Sequence, residues 1–120
     1  MSNPAKSVYF FGLYLVGLGA ILLVIPNLLL SVFGLLPTGE VWVRVVGMLV
    51  LLLGVYYVVL ARGESTLFFR LTVYLRSSVI VFFTAFVLLG IASPPLIMFG
   101  AVDLLGAIWT GLALRQSRPA

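Results

Sequence analysis

Four stretches of about 20 residues, nearly free of charge, dominate this chain: 7–25, 41–62, 66–90 and 94–115. A hydrocarbon core about 30 Å thick takes about 20 apolar residues of helix to cross, and each stretch is long enough. Pro26, Gly63, Gly90 and the Pro94-Pro95 pair punctuate them. With 63% of 120 residues hydrophobic and 8% charged, the chain has more apolar surface than a domain of this size can bury in itself. Water as the main solvent is excluded, and so is disorder. The predicted fold class is all-α integral membrane. Residues 1–120 are read as one transmembrane domain, a four-transmembrane-helix bundle. The first stretch lacks a cleavage pattern opening into a soluble domain and reads as an uncleaved helix.

The connection between the first two spans is too apolar for a water loop. Residues 27–36 (NLLLSVFGLL) follow Pro26 and end at Pro37-Thr38-Gly39. They are predicted to form a short interfacial helix between helices 1 and 2. A re-entrant segment would need cover from protein or water.

The cations sort by side. Lys6, Arg62, Arg70, Arg115 and Arg118 flank one face, while the first and third connections carry no Lys or Arg. The positive-inside rule then puts both termini in the cytoplasm. The +4 charge reads as a topology signal and an attraction to anionic headgroups, not as a nucleic-acid surface.

Three charges are left inside spans, where each costs about 2.5–3.5 kcal/mol to insert. Helical rise places Asp103 roughly 3 Å to the outer side of the midplane and Arg76 roughly 3 Å to the inner side, on adjacent antiparallel helices. An Arg76–Asp103 ion pair is predicted. Arg44 lies about 11 Å toward the outside. It has three options: reaching the headgroups, pairing with Glu40, or reaching down to Asp103. Such charges either lock helix register or form a ligand or proton site.

Small residues accompany them. Gly100, Asp103, Ala107 and Thr110 share a face of span four; Arg44, Gly47, Leu51, Gly54 and Val58 share one of span two. Such faces serve close helix packing or leave room for a ligand. Tyr9 and Trp42 are interface anchors. Tyr14, Tyr56, Tyr57 and Trp109 lie deeper, and their polar tips require partners. Arg76, Ser77, Ser78 and Thr110 are the candidates, giving either a polar aromatic pocket or an aromatic belt with ordinary packing. The candidate intramembrane polar site is therefore Arg44, Arg76, Asp103, Ser77, Tyr56, Tyr57, Trp109 and Thr110.

Catalysis finds little material. Cysteine and histidine are absent, and Glu40, Glu64 and Asp103 are the only carboxylates. No nucleophile–base pair, phosphate loop or metal cluster can be assembled, so no enzyme, no cofactor and no metal are expected. Length and span number resemble the small multidrug resistance transporters, but span one lacks the acid that carries their activity. Trp42-x-Arg44-x-x-Gly47, Arg76 in span three and Asp103-x-x-Gly106 make the chain look more like the small four-helix bacterial membrane proteins called DoxX-like. That resemblance implies fold more than activity, and with it a bacterial inner membrane as the expected location. The expected function is a non-catalytic membrane protein that binds an apolar ligand or a partner membrane protein. The alternative is a small oligomeric transporter or channel using the Asp/Arg site. The expected partners are the lipid bilayer and either a membrane protein or further copies of the chain, with no nucleic acid.

Overall fold

A computed structural model describes residues 1–116. Arg118, one of the expected topology cations, lies outside the described residues. These residues form five helices and no strand: α1 (Asn3–Val24), α2 (Pro26–Val32), α3 (Val41–Arg62), α4 (Thr66–Leu88) and α5 (Leu96–Gln116). The helices α1, α3, α4 and α5 are long and apolar enough to cross a membrane. Large apolar side chains such as Phe10, Met48, Val81 and Leu105 are exposed along all four, the inverse of a surface made for water.

Local chemistry sets the helix ends. The Ser2 hydroxyl accepts from Ala5 N–H at 3.2 Å, so Ser2 caps α1 and the helix starts four residues before the apolar run. At the other end Pro26 has no N–H to continue the ladder, and the chain turns at Ile25 into α2. This short helix starts one residue before the expected 27–36 segment and stops at Val32, two residues ahead of Gly34, whose φ of +69° suits glycine. Gly90, at +78°, ends α4 in the same way, with Ile91 N–H reaching back to Phe86 O at 3.0 Å. Ser65 caps α4 through Phe68 N–H.

The chain divides into two compact units, residues 9–59 and residues 1–8 with the chain from Leu60 onward. In the first, α1 and α3 run antiparallel along a glycine seam. A methyl group on Gly54 would sit 2.8 Å from Val16 N and 2.9 Å from Gly12 O; one on Gly47 would sit 2.6 Å from Leu23 N. One on Gly19 would press on Leu51 N and on Gly47 O. Gly12 and Gly19 are thus paired with Gly54 and Gly47 at a seven-residue spacing on each helix. With no side chain between them, the two backbones come into direct contact. The predicted stripe Gly47–Leu51–Gly54–Val58 is the α3 side of this seam.

In the second unit α4 and α5 are antiparallel. A methyl on Gly100 would touch Ile80 Cα at 2.9 Å, and one on Gly111 would rest 3.6 Å from Val73. The buried positions of α5 are Gly100, Ala107, Thr110 and Ala113, with Asp103 half-buried on the same face. This is the small-residue face read from the sequence.

Candidate functional site

Arg76 is the most deeply buried charge among the described residues, 3% exposed, and hydroxyl groups surround it. Its Nη2 donates to Thr110 Oγ1 at 2.7 Å and to Thr72 Oγ1 at 3.1 Å, and its Nε donates to Thr72 O at 3.3 Å. Thr72 passes its own proton to Phe69 O at 3.0 Å. Ser7 spends its one proton on Pro4 O at 2.7 Å, so in the 2.7 Å contact between Ser7 and Thr110 the threonine is the donor. A directed chain results: Arg76 to Thr110, Thr110 to Ser7, Ser7 to Pro4. It ties the first turns of α1 to α4 and α5. A guanidinium cannot shed its proton, so once buried it needs acceptors, and here hydroxyl and carbonyl oxygens supply them.

The Arg76 charge acts on Asp103 electrostatically, but the hydrogen bonds that hold the guanidinium go to Thr110 and Thr72 and not to that carboxylate. Side-chain direction is the reason. Ile80 faces Gly100 and Val73 faces Gly111, so the antiparallel register carries the Arg76 backbone to roughly the level of 104–108. Helical side chains lean toward their own N-terminus. On α4 that direction leads away from Asp103 and toward Thr110, about 10 Å further along α5.

Arg44 makes a contact outside its three expected options. It is exposed, and its Nη1 donates to Leu23 O at 2.7 Å and Val24 O at 3.1 Å. These carbonyls end α1, where Pro26 has cut the ladder, and a cation there also meets the negative end of the helix dipole. Arg44→Gln should lower thermal stability in detergent by about 1–2 kcal/mol, since two charge-assisted bonds are lost. A residue that only reached for headgroups would leave the melting point unchanged.

The remaining candidates separate. Ser77 bonds its own Val73 carbonyl at 2.6 Å, and Ser78 bonds Leu75 O, so both hydroxyls serve their own helix. Tyr56 is 63% exposed on the apolar surface, and Trp109 is also exposed. Tyr57 is buried, its ring 5.7 Å from Phe11. Of the eight, the second unit brings together Arg76 and Thr110, with Asp103 two turns away on the same face. Ser7 and Thr72 complete the cluster. Each belongs to a helix-face pattern (Ser7 follows Pro4 by three, Arg76 follows Thr72 by four) that the residue spacing carries.

Beside this cluster the second unit holds a cleft of about 810 Å³. Phe69, Val73, Gly111 and Leu114 give it apolar walls; Arg70, Arg115 and Glu64 stand at its edge. Glu64 also closes the turn after α3. It occupies the left-handed position, φ +54°, of a helix end in which Ser65 N–H bonds Leu60 O and Glu64 N–H bonds Ala61 O. Glycine would be easier there, and Gly63 sits one residue too early. The Glu64 carboxylate receives Ser2 N–H and the Ser2 hydroxyl, each at 2.7 Å. The Ser2 hydroxyl first, then its N–H, holds the Glu64 carboxyl below its ordinary value of 4.5. The tether is therefore complete above that value and released as pH falls through the lowered one. A carbon-13 titration of Glu64 should show a midpoint below 4.5 that moves back up in Ser2→Ala.

The arrangement offers hydrogen bonds, cations and apolar walls. Among the described residues, no three His, Cys, Asp or Glu side chains gather in one place. The chain matches no protein-family model, no curated protein and no solved structure.

Proposed function

We propose that this is a small non-catalytic integral membrane protein that binds an apolar ligand, and that the ligand lies in the cleft bordered by Phe69, Val73, Gly111 and Leu114. The reading includes both termini in the cytoplasm, a bacterial inner membrane and a DoxX-like kinship. The observation that carries it is the cleft itself: apolar walls between α4 and α5 that no side chain fills. Gly111 leaves that space open, with Val73 at ordinary contact distance from a would-be methyl. The Arg76, Thr110 and Ser7 side chains nearby are engaged in ties between helices, which suits a rigid scaffold.

A neutral diazirine-bearing monoacylglycerol tests this in the reconstituted protein. Photoadducts are expected on Phe69, Val73 and Leu114, and Gly111→Trp should remove most of them while the protein stays folded. Adducts spread evenly over the exposed faces and untouched by Gly111→Trp would describe bulk lipid contact and overturn the reading.

The transport alternative draws on one observation: Asp103 is half-buried in an apolar helix, within electrostatic reach of Arg76. Intramembrane carboxylates of that kind mark ion and proton paths. Flux in vesicles that Asp103→Asn abolishes, without loss of fold, would decide for it.

A further inference from the structure

The edge of the cleft says more about the ligand than its walls do. Arg70 and Arg115 are exposed and line the same opening, and neither makes a hydrogen bond or ion pair among the described residues. The third charge there, Glu64, has its carboxylate turned to the N-terminal residues: Oε1 takes Ser2 N–H and Oε2 takes the Ser2 hydroxyl. The carboxylate keeps its charge but is turned to the N-terminal residues, and the two cations outnumber it at this edge. Arg70 lies one turn into α4, and Arg115 lies in the last turn of α5. Both therefore sit at a helix end, beside the apolar walls that continue inward through Val73 and Gly111.

A ligand that satisfies this surface has an acyl chain and, at one end, a compact anion. A phosphodiester fits, because a guanidinium fork pairs with phosphate oxygens two at a time. We propose that the cleft binds an anionic phospholipid from the surrounding leaflet, its chain between α4 and α5 and its phosphate between Arg70 and Arg115. This rests on the apolar-ligand reading above and adds the headgroup class. A soluble anion would have no use for the apolar walls. A zwitterionic phospholipid would bring a trimethylammonium to a site that already holds two cations. Glu64 keeps its negative charge, but both its carboxylate oxygens are already taken by Ser2 donors.

The full chain in detergent, given phosphatidylglycerol or phosphatidylcholine with identical acyl chains, tests the proposal by native mass spectrometry of the retained lipid. Phosphatidylglycerol should be retained about tenfold or more over phosphatidylcholine, as two nearby arginines can supply. The double variant Arg70→Gln, Arg115→Gln should bring the ratio close to one. Both residues are exposed, and an unchanged melting point will show that the fold is kept. The double variant Lys6→Gln, Arg62→Gln removes as much positive charge from exposed positions that do not line the cleft, and should leave the ratio in place.

Equal loss in both double variants would mean general surface charge and overturn the proposal. Equal retention of the two lipids, abolished by Gly111→Trp, would overturn the headgroup assignment and leave the apolar-ligand reading standing. Retention of neither lipid would overturn both.

Discussion

Gly47→Leu should unfold the α1–α3 pairing, with a loss of about 3 kcal/mol or more and a collapse of the melting transition in detergent. The obstacle is backbone. A β-carbon on Gly47 would lie 2.6 Å from Leu23 N and 2.8 Å from Leu22 C. Backbone atoms in a helix cannot swing aside as a side chain can, so α1 and α3 would have to separate. That separation would also pull the α1 carbonyls away from Arg44. Gly17 supplies the control on the same pair of helices. It is exposed, with nothing within 4 Å of a would-be β-carbon. Gly17→Ala should leave stability within about 1 kcal/mol of the parent, in the favourable direction that helix propensity gives. Comparable losses for the two variants would mean that the glycines matter through propensity and not through contact.

Thr110→Val should cost about 2–3 kcal/mol although it changes the volume of the side chain very little. Thr110 is fully buried, accepts from Arg76 and donates to Ser7. Valine can do neither, so a buried guanidinium loses an acceptor and Ser7 loses a donor in one substitution. Interhelical hydrogen bonds in membranes are worth about 0.6 kcal/mol on average and reach about 1.7 kcal/mol. A bond to a permanent cation belongs at the upper end, and the cost of stranding the charge adds to it. Thr110→Ser keeps the hydroxyl and should recover most of the loss. Stability in urea or by thermal scanning in a fixed detergent would read these differences. A valine variant as stable as the serine variant would mean that the hydroxyl chain contributes nothing.

Much of the helix layout was legible because its cause is local. Residues 41–62 were expected as a helix and form one with those limits, since apolar composition and flanking turn residues determine it. α1 begins at Asn3, four residues ahead of the apolar span, because Ser2 caps it there. The glycine stripe of α3 and the small-residue face of α5 were visible as spacing. Their partners were not: spacing shows which face is small, but only the register shows that Gly12 and Gly19 meet it.

Backbone height alone does not show which groups Arg76 and Arg44 bind, for one physical reason. Depth arithmetic follows backbone height, whereas a long side chain acts where its tip is. Arg76 leans one turn toward the N-terminus of α4 and finds Thr110. Arg44 reaches sideways to the carbonyls that Pro26 leaves without donors. The second outcome was open to a count of helix-end acceptors, because a helix broken by proline always leaves some. Ser7 escaped notice because a hydroxyl near a helix end is cheap to insert, which hides it among residues that do nothing. Tyr56 and Ser77 show the converse, polar atoms placed deep by sequence that face outward or serve their own turn.

The most direct test of this account is a pair of double-mutant cycles on thermal stability in one detergent, Arg76→Met with Thr110→Val and Arg76→Met with Asp103→Asn. The hydroxyl-bound arginine predicts a coupling of about 1–2 kcal/mol for Arg76 with Thr110, and a clearly smaller one for Arg76 with Asp103. The reverse order, with Asp103 coupled strongly and Thr110 within about 0.3 kcal/mol of additivity, would contradict it.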